Sequence, residues 1–216
     1  MKKTLKNKLI LELLEHVGRD DPSHDYHHAL RIMHLCEKIG RKEKADLDVL
    51  IPAALFHDAV CYPKNSPESA LSADHSADLA QKTLKEQKYS EEKINAVETC
   101  IRECSFSKGT KPSSLESMIL QDADRLEATG AISIMRTYSS SGQMKRQFYD
   151  PADPFRKKTN PNHGASLDLF FRRLLKVGDM MNTATGRKMA KRRTEFLKKF
   201  LRELELELKE SGVKTK

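Results

Sequence analysis

Apolar residues recur along most of this chain at three- and four-residue spacing and almost nowhere alternate, so the pattern predicts helices throughout. Leu5, Leu9 and Leu13 mark an N-terminal helix, and Asp21-Pro22-Ser23 breaks the chain after it. In the next helix Ile32, Leu35 and Ile39 fall at i+4, i+7 and i+11 from His28. In the helix of His57 the same face takes Leu50, Ala54 and Cys61, and Pro52 is tolerated in a first turn or kinks the helix. Pro63 to Pro67 reads as a loop, followed by helices over about 68–85 and 90–102, the second opened by Ser90-Glu91-Glu92-Lys93 as N-cap and first-turn acids. One helix is expected from about Ser114 to near Tyr138. Residues 139–163, with Ser139-Ser140-Ser141-Gly142 and three prolines, form the longest irregular segment, expected to be a lid or an insertion. The last helices span about 165–176 and 185–209, with Phe196, Phe200 and Leu204 as the packing stripe of the second, widened by Leu197, Leu201 and Leu208. The pattern gives an all-α chain and one domain over 1–216, with its core over about 24–138 and C-terminal helices over about 165–209.

Three distant stretches carry residue types that this pattern does not explain. They are His27-His28 with Arg31, His57-Asp58, and Asp122-Ala123-Asp124-Arg125-Leu126. His28 and His57 both share a face with apolar residues, and buried His and Asp are costly to desolvate unless something pairs with them. A lone inward His is usually a hydrogen-bonded core residue. Asp58 changes the reading, because a carboxylate in a run as apolar as Ala53-Ala54-Leu55-Phe56 needs a cation or a strong donor to stay ionised. Asp122 and Asp124, two apart on a helix, point about 200° away from each other, so one of them at most reaches a common ion. A mixed imidazole and carboxylate set suits a divalent metal that keeps positions open for water, the equipment of a metal-dependent hydrolase.

Composition narrows the classes. The 216 residues, 38% of them hydrophobic, suffice for one core. No window approaches the roughly 20 apolar residues of a membrane span. The basic start Met1-Lys2-Lys3-Thr4 is followed by apolar residues broken by Lys6, Lys8 and Glu12, which is not a secretory signal, so a cytoplasmic location is expected. Cys36, Cys61, Cys100 and Cys104 lack the doubled CxxC of a structural zinc site and read as reduced thiols. Much of the net charge of +8 lies in the last helix, from Arg187-Lys188 to Lys198-Lys199, and reads as a solvated face. No signature of a sequence-specific nucleic-acid reader accompanies it.

The residues resemble the HD-domain phosphohydrolases, and within them the small bacterial proteins with "HDxxHxxR", "AALxHD", "YPKN", "SFSxGxxP" and "QDADRLEAxGA". Here these read His24 to Arg31, Ala53 to Asp58, Tyr62 to Asn65, Ser105 to Pro112 and Gln121 to Ala131, in that order, and the likeness extends to the Thr183–Arg187 region. The resemblance implies metal ligands at His28, His57, Asp58 and Asp124, leaves Asp122 as a supporting or packing group, and leaves His24 and His27 to the pocket or surface. It implies one divalent ion, Mn²⁺ first, with Mg²⁺, Co²⁺, Ni²⁺, Fe²⁺ or Zn²⁺ as alternatives. Asp58 is expected to orient an attacking metal-activated water, and Arg31, Lys64, Lys108 and Arg125 to answer the substrate's negative charge. The expected substrate is a small phosphate compound, a nucleotide, with release of pyrophosphate from a nucleoside triphosphate as one form; no membrane and no specific nucleic acid is expected as partner. One departure stands out: Cys104 precedes Ser105-Phe106-Ser107 where relatives carry a His, so an imidazole able to orient phosphate or relay a proton is absent. The alternative class is a non-catalytic module of the same fold that binds RNA or an anionic partner.

Overall fold

The computed structural model describes residues 1–16, 25–62, 66–105, 109–155 and 164–215, and every regular element among them is helical. The break at Asp21-Pro22-Ser23, the residues Lys64 and Lys108, and most of the end of the 139–163 segment lie outside the described residues. The chain divides into two compact units, Met1–Asp124 and Arg125–Lys216.

In the first unit the most apolar stretch of the chain is the central helix. Helix α1 covers Lys3–His16, α2 Tyr26–Glu43 and α3 Leu47–Phe56. A 3-10 turn at Pro67–Leu71 leads into α4 at Ser72–Glu86, followed by α5 at Glu91–Cys104. Every residue of α3 from Val49 to Phe56 is buried, as expected of a helix that is apolar all round and sheathed by neighbours, here α1, α2, α4 and α5. Pro52 sits in the interior of α3 rather than in its first turn, so one helical hydrogen bond is lost there. Side chains start three of the helices: Ser90 caps α5 as the sequence predicts, and Asp25 caps α2 and Asp46 caps α3, each accepting from an amide of the first turn. In α2 the buried stripe runs through His28, Ile32, Met33, Cys36 and Ile39, and Leu35 is only partly buried. A Cβ on Gly40 would lie 2.7 Å from Leu50 Cδ2, so a glycine there lets α2 lie close against α3. Those two helices carry the two inward histidines.

The expected single helix over 114–138 is two helices, α6 at Leu115–Glu127 and α7 at Gly130–Gln143. The break is set by capping. Arg193 Nη1 donates to the Leu126 carbonyl at 2.7 Å and Thr129 Oγ1 donates to the same carbonyl at 2.7 Å, while Gly130 takes φ +72°. Residues 139–143 belong to α7 and not to an irregular segment.

The second unit continues with α8 at Asp168–Arg172, a 3-10 turn at Leu174–Met180 and α9 at Ala184–Glu210. Its core is Leu167, Phe170, Leu174, Leu197 and Leu201, with Phe170 stacked on Phe200 at 5.6 Å. The buried line of α9 is Leu197, Leu201 and Leu208, with Phe200 and Leu204 partly covered. Phe196 is 47% exposed, so the packing stripe lies one residue round the helix from the expected one. Lys198, Lys199 and Arg202 face water as expected.

Candidate metal centre

Helices α2, α3 and α6 and the turn after α3 carry the candidate ligands. His28 is the third residue of α2, its amide fixed by the Asp25 carboxylate at 2.8 Å, and its ring is buried. His57 is the C-cap of α3, still in right-handed helical conformation, and Asp58 lies in the turn beyond it rather than on a helix. Asp124 is on α6. Nε2 of His57 lies 3.4 Å from Asp58 Oδ2, and Nε2 of His28 lies 3.6 Å from the same oxygen and 3.9 Å from Asp124 Oδ1. Ligating atoms of His28, His57 and Asp58 all lie within 4.8 Å of one another. The two rings are tilted at 57° with centroids 5.2 Å apart.

Hydrogen bonding shows what this cluster lacks. His57 Nδ1 is 2.8 Å from the Ala54 carbonyl, which only accepts, so Nδ1 carries the proton and Nε2 of the neutral ring is a bare lone pair. That Nε2 is buried and has no hydrogen-bond partner among the described residues. It faces a carboxylate oxygen, and two acceptors at that distance repel unless a cation stands between them. One ion bonded at about 2.0–2.3 Å would hold donor atoms about 2.8–3.3 Å apart at right angles and about 4.0–4.6 Å apart when opposite, and the observed separations fall between these limits. The residues therefore fit a divalent metal. Both histidines are enclosed, while the Asp58 and Asp124 side chains are 32% and 26% exposed, so the carboxylates lie toward solvent.

Asp122 is fully buried, in contrast to Asp124. Beside it the Cys36 thiol is pushed well above its usual pKa by burial, with Cys100, Asp124 and Asp122 adding to the effect. All four cysteines are free thiols, and Cys104 is buried at the end of α5. Among the other candidates, His27 is exposed and Arg31 lies one turn after His28 on α2, partly buried. Arg125 directs Nη1 to the Met180 carbonyl at 2.8 Å, a structural bond within the second unit. Lys64 and Lys108 lie outside the described residues, as does His24. Sequence reasoning passed over two sets of polar groups. Gln121 donates to the carbonyls of Glu103 at 2.7 Å and Thr110 at 2.9 Å, and Ser72, His75 and Ser76 bond the chain after Asp58. The only sequence signal for the second set is its spacing of three and four residues on one helix.

The comparisons with known proteins agree with this architecture. The HD-domain family model matches residues 25–129. The Bacillus subtilis protein YpgQ is 32% identical over 214 residues, covering 96% of each chain. The crystal structure of YpgQ in complex with ADP superposes with TM-score 0.73 at 28% identity, covering 94% of this chain and 97% of that one. An HD-superfamily hydrolase from Bacillus thuringiensis superposes with TM-score 0.75 at 28% identity, covering 97% and 99%. The chain belongs to the HD-domain family and is a hydrolase, with the all-α fold and metal-type donor cluster of a metal-dependent phosphohydrolase.

Proposed function

We propose that this hydrolase acts on a nucleotide, releasing pyrophosphate from a nucleoside triphosphate, with His28, His57, Asp58 and Asp124 holding one divalent ion, Mn²⁺ first. The observation that carries the metal site is the buried His57 Nε2 aimed at the Asp58 carboxylate. Support for the substrate class comes from the ADP bound in the YpgQ crystal structure, a property of that protein. A divalent ion bound there supplies Lewis acidity and brings the pKa of a coordinated water toward neutrality. The Ala54 carbonyl fixes the His57 tautomer, so Nε2 stays available as a donor. Asp58, partly exposed beside both imidazoles, orients the attacking water by accepting its proton in a hydrogen bond. Arg31, one turn along α2 from His28, and Lys64, shortly after the doublet, bind phosphate oxygens; Lys108 and Arg125 take secondary places, Arg125 already holding the Met180 carbonyl.

The test is a panel of nucleoside mono-, di- and triphosphates assayed with Mn²⁺, Mg²⁺, Co²⁺ and Zn²⁺, reading phosphate and pyrophosphate separately. Pyrophosphate from a triphosphate is the expected product. Turnover of a non-nucleotide phosphate ester with no nucleotide cleaved under any metal would overturn the substrate assignment and leave the metal site standing.

A further inference from the structure

Asp58 lies past the end of α3, in a turn, so the direction of its carboxylate depends on what holds the chain that follows it. One face of α4 holds that chain. Ser72, His75 and Ser76 stand at i, i+3 and i+4, neighbours on the helix surface. The Ser76 hydroxyl, fully buried, accepts from the Val60 amide at 3.0 Å and donates to the Val60 carbonyl at 3.2 Å. Ser72 Oγ accepts from the Tyr62 amide at 3.2 Å. The Tyr62 hydroxyl and His75 Nδ1 are 2.9 Å apart, with the rings edge to face at 5.7 Å.

A single hydroxyl that both takes the amide proton and gives its own to the carbonyl of one residue fixes that peptide's orientation as well as its distance. Val60 is two residues from Asp58, and between them a turn bond from the Ala59 amide to the Phe56 carbonyl at 3.1 Å, rather than a continued helical ladder, ties the chain back to α3. A mere tie between a loop and a helix would add stability and nothing else. A tie at two points, two residues from a metal-type carboxylate, also sets where that carboxylate points, and groups that orient metal ligands govern affinity.

We propose that Ser76, supported by Ser72 and the Tyr62–His75 pair, is a positioning residue that fixes the Asp58 carboxylate for metal binding, so that the N-terminal end of α4 sets the affinity of the site. This rests on the reading of His28, His57, Asp58 and Asp124 as metal ligands, and the test separates the two. The full chain is titrated with Mn²⁺ alone, by calorimetry, for the wild type and for Ser76→Ala, Ser72→Ala, Tyr62→Phe, Asp58→Ala and Ser133→Ala. Ser133 is a control of equal burial whose hydroxyl donates to the Gly130 carbonyl at 2.7 Å in the second unit. Ser76→Ala is expected to weaken Mn²⁺ binding about ten- to hundredfold, the usual range for a group that orients a metal ligand. Ser72→Ala and Tyr62→Phe should weaken it by smaller factors, and Ser133→Ala should melt earlier with unchanged affinity. Ser72 and Tyr62 are partly exposed, so those variants carry the test if Ser76→Ala does not fold. If the wild type binds Mn²⁺, Asp58→Ala does not, and the folded α4 and Tyr62 variants bind as the wild type does, this inference falls while the metal site stands. A wild type that binds no Mn²⁺ would overturn both.

Discussion

Asp122 and Asp124 are the same residue type, two positions apart, and their surroundings separate them. Asp122 is wholly enclosed, whereas Asp124 reaches solvent and brings an oxygen within 3.9 Å of His28 Nε2. Asp124→Ala should therefore remove bound metal and turnover with little change in the melting temperature of the metal-free chain. Asp122→Ala should keep the metal and lose stability, by about 1–3 kcal/mol if its carboxylate leaves buried partners unsatisfied. Metal content by mass spectrometry beside thermal melts distinguishes the two, and equal metal loss would contradict the assignment. The cations make a second contrast. Arg31→Ala and Lys64→Ala should raise KM about ten- to a hundredfold with metal content unchanged, the cost of a lost charge-assisted contact to phosphate. Arg125→Ala should act on stability first, since its guanidinium serves the Met180 carbonyl. That partner is 55 residues along the chain, and no local pattern announces it. The histidines were legible because each broke an apolar stripe, and the resemblance singled out Asp124.

Helices were legible wherever the apolar spacing and a capping side chain agreed, as at Ser90, whereas the caps at Asp25 and Asp46 were not read from the sequence. The break between α6 and α7 was not. Around Ala128-Thr129-Gly130 the spacing continues, and what ends α6 is an arginine 67 residues away on α9 that takes the Leu126 carbonyl. The stripe of α9 was misplaced by one residue because Phe196 and Leu197 fit the same periodicity, and only the partner core decides between them. Gly130 is the sensitive point of the break: at φ +72° a side chain is disfavoured, and its Cβ would lie 3.1 Å from Arg193 Cβ. Gly130→Ala should cost about 1–2 kcal/mol from the left-handed backbone alone. A urea midpoint equal to that of the wild type would show that the corner relaxes freely.

Across the whole molecule a charge of +8 invites a nucleic-acid reading. The local arrangement argues for a solvated surface instead, since Lys198 pairs with Glu195 and Lys209 with Glu205 at 2.8 Å each, and Arg193 is committed to a carbonyl. Binding to single-stranded RNA should be weak at low salt and vanish near physiological salt, as counterion release dictates. A sub-micromolar complex at that salt would restore the RNA-binding alternative. One further consequence comes from the stretch Val49–Phe56 of α3, buried throughout and followed by the C-cap His57. Its amides have no local route to solvent, so they should exchange with deuterium only when the whole fold opens. A ligand that binds only the folded chain slows such opening by mass action. Exchange of the Leu55 and Phe56 amides should therefore slow in proportion to one plus the ratio of Mn²⁺ concentration to its dissociation constant, which makes the buried end of α3 the protein's own gauge of metal occupancy.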